Sequence, residues 1–311
     1  MSPLRIIFSG SGEFGIPTLT ALLDAGHEVV RVISQPDRPA GRGRTLTPTP
    51  IAALAAAGSL PLLTTSNINA EQLPPADAMV VIAFGQKIGE PAVRHARLGS
   101  INLHASLLPK YRGAAPINWA IIRGERVTGN SVIRLANRMD AGAVLGQSRL
   151  EIGELETAGE VHDRLSVDGA PLVLRVLDEL SRGVAVETPQ DESQATLAPK
   201  LSREQSKLDF ARPAADIASQ VRGMYPWPSC RVKVTDDAGE DLGRATLVRC
   251  RATTGAGSAP GVISESGHIG AASGQAIEVV EIQPEGKRPM PLIAYRNGHR
   301  WNAGLRVESI A

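Results

Sequence analysis

Cysteine is nearly absent: Cys230 and Cys250 are the only two in 311 residues. Two thiols cannot build a multi-bridge disulfide framework or supply four zinc ligands. Reduced thiols in a cytoplasmic protein are therefore expected. Long apolar runs are missing too. Nothing approaches the roughly 18 consecutive residues that a membrane span requires. The first apolar run, in MSPLRIIFSGSGEFG, ends after Phe8, too soon for a secretory h-region. Charge of one sign is not in excess either. The net charge is +1, so no overall field advertises a nucleic-acid partner. No repeats, low-complexity tracts or metal-ligand spacings stand out, and no metal is expected.

What is present is an ordinary globular composition, 42% hydrophobic and 21% charged, over a length that suggests two domains. Residues 4–8, 28–33, 60–63, 78–83 and 99–104 read as strands with helical patterns between them, the βαβ alternation of a parallel sheet. Residues 79–83, MVVIA, are continuously apolar, as suits a central strand buried on both faces. A helix is expected over 115–123, strands over 131–136 and 144–150, and a long helix over 157–182. His162 in that helix reads as a packing or surface histidine. Residues 184–207 thin into Pro, Gln, Ser and Thr, the composition of a connector. Beyond a helix over 214–224, short β-rich pieces separated by Gly and Asp turns read as a small barrel. The expected fold is α/β: a Rossmann-like, mostly parallel sheet with helices on both faces, then a small OB-like β-barrel. The expected division is 1–183, a linker over 184–207, and 208–311.

The chemistry concentrates in residues 99–116, GSINLHASLLPKYRGAAP. Strand side chains alternate faces, so Asn102 and His104 point the same way. An amide beside an imidazole can polarise a carbonyl and handle a proton. In open α/β sheets, ligands sit outside the carboxyl ends of the strands, where this segment would place both groups. A lone Asn-x-His more often marks a turn former and a satisfied histidine. Here the segment RMDAG adds a carboxylate, Asp140, on a turn.

Two further stretches can meet a ligand. Phe84-Gly85-Gln86 ends the central strand in a turn whose backbone could approach a flat molecule edge-on. Residues 35–50, QPDRPAGRGRTLTPTP, carry Arg38, Arg42 and Arg44 and no acid after Asp37. Such arginines suit bidentate phosphate contact, against the alternative of a solvated loop. Gly10, Gly12 and Gly15 spell a dinucleotide fingerprint between strand and helix, with Asp37 at about the right distance but beyond a proline. The plainer reading is that these glycines make a tight strand-to-helix turn.

INLHASLLP, RGAAP and MDAG together resemble the folate-dependent formyltransferases. QPDRPAGRGR, RGMYPWP and QPEGKRPM narrow the likeness to the methionyl-tRNA formyltransferases, and it runs from the first strand to Met290. The resemblance implies formyl transfer from 10-formyltetrahydrofolate to the α-amine of charged initiator methionyl-tRNA. It implies Asn102, His104 and Asp140 as catalytic residues. It places folate against Phe84, Gly85 and Gln86 together with Ser106, Leu107, Leu108 and Pro109. It sends Arg38, Arg42 and Arg44 to the acceptor stem of the tRNA, and makes the C-terminal barrel a tRNA-binding domain. A monomer suffices. Two stretches depart from the pattern: Ser11-Gly12 stands where the family carries Thr-Pro, and residues 134–138, RLANR, are unusually basic before the Met-Asp. The competing expectations are the same chemistry on another amine, such as a nucleotide-linked amino sugar, or a nicotinamide oxidoreductase built on Gly10, Gly12 and Gly15.

Overall fold

The computed structural model describes residues 2–310 apart from 41, 42, 44 and 254–257. The chain divides into two compact units: 1–113 with 129–150 and 162–197, and 114–128 with 151–161 and 198–311.

The first unit is built on a seven-stranded sheet. Its strands are β1 (Arg5–Gly10), β2 (Glu28–Ser34), β3 (Leu62–Thr64), β4 (Ala78–Ile82), β5 (Ser100–His104), β6 (Val127–Arg134) and β7 (Val144–Glu151), in the order β7-β6-β5-β4-β1-β2-β3. β1 to β5 pair in parallel, and β6 lies antiparallel to β5 with His104 opposite Ser131. Every residue of β4 is buried, as its uninterrupted apolar sequence requires. Helix α1 (Ile16–Asp24) follows β1, and α2 (Pro50–Ala57) starts where the Thr49 hydroxyl accepts the Ala52 amide at 3.1 Å.

The glycine fingerprint serves packing. A Cβ on Gly10 would come within 2.8 Å of the Phe8 ring, and one on Gly15 within 3.1 Å of the same ring. A Cβ on Gly12 meets only Ala83, at an ordinary 3.5 Å. The space that Gly10 and Gly15 leave is therefore filled by the protein's own core. The Ser11 departure knits strand ends together. Its hydroxyl donates to the Phe84 carbonyl at 3.2 Å and accepts the Gln35 amide at 3.2 Å.

Two elements differ from the sequence reading. Residues 35–50 contain a small hairpin, Arg38–Ala40 paired with Thr45–Thr47. β6 begins at Val127, ahead of the expected Ser131, although Thr-Gly-Asn reads as a turn. Asn130 is fully buried there because its amide donates to the Leu165 carbonyl and the Asp168 carboxylate. Gly129 is required because a Cβ would overlap the Ser148 carbonyl. The long helix, α4 (Ala158–Ser181), follows α3 (Pro116–Ile122) and matches its apolar spacing; His162 on it packs edge-on against Phe14.

The second unit carries α5 (Ala214–Met224) and a β-barrel. Its strands are β8 (Cys230–Thr235), β9 (Asp241–Thr253), β10 (Ile269–Gly270), β11 (Ala276–Pro284), β12 (Met290–Pro291) and β13 (Arg306–Ile310). The path β10-β11-β9-β8-β13 is antiparallel where strands pair, and residues 261–263 tie its two ends. Val262 bridges Arg306 while Ile263 bridges Ile269. Trp301, Tyr295, Leu247, Ile277 and Ile282 fill the interior with Ile217 and Val221 of α5. Both cysteines are buried free thiols, pushed up by desolvation, Cys230 to about 12. Arg249 donates to Glu160 and Glu281 and holds the Glu160 carboxyl down to about 2.

His27 gives the fold a pH dependence. The Leu4 amide donates to its Nδ1 at 3.1 Å, and burial lowers its pKa from the ordinary 6.5. An unfolded chain takes up this proton first, so the contribution is complete above pH about 6.5 and declines below it. Thermal midpoints should fall between pH 7.5 and 5.5 by less in His27→Asn, whose Oδ1 accepts the same amide without titrating (order of one pH unit around the histidine value). Equal falls in both proteins would assign the slope to other groups.

Candidate active site

β5 delivers the two groups expected of it at the carboxyl edge of the sheet. Asn102 is half-buried and lines a cavity of about 550 Å³ together with Val81, Gly85, Gln86, Ile133 and Asp140. No hydrogen bond to the Asn102 amide is present among the described residues, so it is available to a ligand. His104 is 6% exposed and donates from Nε2 to the Tyr111 carbonyl at 2.9 Å. An oxygen acceptor there fixes the proton on Nε2 and leaves Nδ1 as the ring's basic atom. That Nδ1 lies 3.7 Å from Asp140 Oδ2, too long for a hydrogen bond.

Asp140 sits at φ +51°, in the left-handed region that Asp tolerates better than most residues. Its Oδ2 accepts the Gly113 amide at 2.9 Å. The glycine two residues on has a steric reason: a Cβ on Gly142 would overlap the Arg134 carbonyl. The basic stretch before Met139 is neutralised locally. Arg134 pairs with Glu187 at 2.8 Å and Arg138 with Glu192 at 2.7 Å.

The Phe84–Gln86 turn forms one rim of the cavity. Gly85 takes φ +75°, and the Gln35 amide donates to the Phe84 carbonyl at 2.7 Å. The Gln86 side chain is committed, accepting from the Ile68 amide and donating to the Thr65 carbonyl at 2.6 Å. Gln86 therefore offers shape more than spare hydrogen bonds. Phe84 itself is buried.

Ser106, Leu107, Leu108 and Pro109 do not line this cavity. The Ser106 hydroxyl is buried and donates to the Lys110 carbonyl at 2.7 Å. Ser131 donates to the Ser106 carbonyl at 2.6 Å and accepts the Leu108 amide at 3.0 Å. Leu108 and Pro109 bound a separate cavity of about 360 Å³ with Val144, Gln147 and Thr188. Leu107 is half-buried, with its side chain over Gly129. Arg38 is exposed and its guanidinium donates to the Gln35 side chain. Arg42 and Arg44 lie outside the described residues. Among the described residues, no group of three or more His, Cys, Asp or Glu side chains is placed to hold a metal ion.

Three further residues stand near the site, two of them without any signal in the sequence. Arg112 is 4% exposed and makes a two-pronged pair with Glu192 at 3.0 and 2.8 Å. That guanidinium holds the Glu192 carboxyl below the usual carboxylate range. Gln190 stands between Arg112 and the Asp140 loop. Arg112 was visible within RGAAP, whereas Gln190 and Glu192 fall in the polar stretch read as a linker.

Two family models match the chain: Formyl transferase over residues 4–177, and Formyl transferase, C-terminal domain, over residues 200–300. A methionyl-tRNA formyltransferase of Solibacter usitatus is 40% identical over 305 residues, 96% of this chain and 96% of that protein. One from Bacillus velezensis is 37% identical over 297 residues, covering 92% of each. Among solved structures, the sugar 3N-formyl transferase WlaRD, determined with dTDP and 5-N-formyl-THF, superposes with a TM-score of 0.65 at 17% identity. It covers 93% of this chain and 100% of its own. HypX from Aquifex aeolicus, in complex with tetrahydrofolic acid, gives a TM-score of 0.59 at 18% identity, over 94% of this chain and 47% of its own. Those two likenesses speak for the fold. The full-length relatives and both domain models together show that this chain belongs to the formyl transferase family and, within it, to the methionyl-tRNA formyltransferases.

Proposed function

We propose that Asn102, His104 and Asp140 carry out formyl transfer from 10-formyltetrahydrofolate to the α-amine of initiator methionyl-tRNA, in the cytoplasm where charged tRNA is found. The observation that supports this reading is one cavity lined by an unengaged amide and a carboxylate, with a histidine of fixed tautomer beside that carboxylate. The cavity has the size and mostly apolar walls of a small-molecule site, and the Gly85 backbone gives a flat pterin ring an edge to lie against. Ser106–Pro109 (residues 106–109) would brace the end of β5 and shape the folate side from behind.

An α-amine titrates at roughly 7.7–8.0, and esterification lowers that further, so the free amine is available near pH 7. The demanding step is attack on the formyl carbon, which places negative charge on its oxygen. The Asn102 amide donates to that oxygen. His104 can do so only from Nδ1, because Nε2 is engaged by Tyr111, and hence only as the imidazolium. Asp140 stabilises that imidazolium and accepts, directly or through water, the proton shed by the attacking amine. Collapse returns a proton from His104 to the departing folate nitrogen. Each proton lost by the amine is thus matched by one gained by the leaving group.

The arginine-bearing hairpin suits the phosphates of the acceptor stem, and residues 208–311 would hold the rest of the tRNA. Nothing in the cavity favours a nicotinamide, since Gly10 and Gly15 face core side chains.

Formyl transfer from 10-formyltetrahydrofolate to charged initiator tRNA, with uncharged tRNA, free methionine and an amino-sugar nucleotide as controls, tests the reading. Product only from the charged tRNA is expected; transfer to the amino sugar instead would overturn it. Asn102→Ala should lower kcat by about 10²–10³. His104→Ala should lower it by about 10²–10⁴, with melting temperature and folate binding kept. Near-normal turnover in His104→Ala would remove the mechanism. Arg42→Ala should raise KM for tRNA, flatten its salt dependence by about one ion, and leave folate affinity alone. Parallel losses for both substrates would show that this arginine does not serve tRNA.

A further inference from the structure

We propose that Gln190 is a positioning residue for the Asp140 carboxylate, and that its side-chain amide sets the geometry on which proton handling depends. The inference rests on the role given to Asp140 above. Gln190 Nε2 donates to two carbonyls of the same loop, Asp140 at 2.7 Å and Gly142 at 2.8 Å. Its Oε1 accepts from Arg112 twice, from Nε at 3.0 Å and Nη2 at 2.7 Å. Two carbonyls on one side and a guanidinium on the other allow a single orientation of the amide.

The loop held in this way is one that needs holding. Asp140 has a positive φ, and its carboxylate has one backbone donor, the Gly113 amide. Gly113 directly follows Arg112, so the carboxylate and the guanidinium belong to one assembly. Arg112 is buried and is fixed in turn by Glu192. Thr188, two residues before Gln190, exchanges backbone hydrogen bonds with Val144 at 2.8 and 2.9 Å, which anchors the segment presenting the amide. The 3.7 Å spacing of His104 Nδ1 and Asp140 Oδ2 is therefore defined by a contact arriving from 50 residues away in sequence. Gln190 reaches the reaction through Asp140 and Gly142, whose backbone it fixes.

The test uses the full chain in single-turnover assays, comparing Gln190→Met, Gln190→Glu, Asp140→Ala and the double variant Gln190→Met/Asp140→Ala. Gln190→Met should lower kcat by about tenfold to a hundredfold and leave both KM values within about twofold. In the Asp140→Ala background it should cost nothing further, because the group it positions is gone. Gln190→Glu keeps an oxygen for Arg112 and removes the donor to the loop, so it should fall as far as Gln190→Met. It also supplies the test if the methionine variant does not fold. Normal kcat in Gln190→Glu, or the same loss from Gln190→Met in both backgrounds, would overturn the inference while Asp140→Ala remained impaired. Normal turnover in Asp140→Ala would instead sink the reading of the site itself.

Discussion

Parallel pairing of β4 with β1 on one side and β5 on the other is the constraint from which the site follows. Parallel strands all end at the same edge, so their loops meet there whatever their separation in sequence. β4 brings the Ala83–Gln86 turn and β5 brings Asn102 and His104. β2 brings Gln35, which caps the Phe84 carbonyl from the neighbouring strand end. The antiparallel neighbour of β5, β6, runs the other way, ending with Arg134 opposite Ile101, and the residues after it bring Asp140 back beside His104. Burial of β4 on both faces keeps this arrangement rigid, and side chains at the edge inherit that rigidity.

The site also shows a division of labour among polar groups. Those that touch the cavity are few, and Asn102 keeps its hydrogen-bonding capacity in reserve. Around them most polar groups are spent on one another: Ser11 on Phe84, Gln86 on Thr65, Ser131 on Ser106, Arg112 on Glu192. A buried polar group left unpaired costs free energy, so pairing within this outer layer both satisfies these groups and positions them. The His104 tautomer illustrates the effect, since a backbone carbonyl at Tyr111 decides which ring nitrogen is basic.

Local pattern explains what could be read in advance. The alternation in INLH put Asn102 and His104 on one face, the apolar run of 79–83 marked the central strand, and MDAG announced a turn whose glycine has a steric reason. The strand over 127–130 was hidden because buried Thr128 and Asn130 look like turn residues until Leu165 and Asp168 are seen beside them. The lining of the Asn102 cavity was only partly legible. Gly85 and Gln86 reach the cavity, whereas Ser106–Pro109 (residues 106–109) are drawn away by Ser131 and Gln147, contacts that no spacing rule encodes. Gln190 was invisible for the same reason. A glutamine in a polar stretch acquires meaning only when two distant loops close around it.

Closure of the C-terminal barrel has a consequence for how it can be approached. Residues 261–263 occupy the free sides of both β10 and β13. Along that path, among the described residues, no terminal strand is left to template a foreign one, which removes a route to edge-to-edge association. It also denies a partner the option of adding a strand at either end of that path. A partner that meets those two strand ends would be recognised through side chains and their charge, a mode indifferent to a partner's backbone hydrogen bonds and well matched to a surface of phosphates.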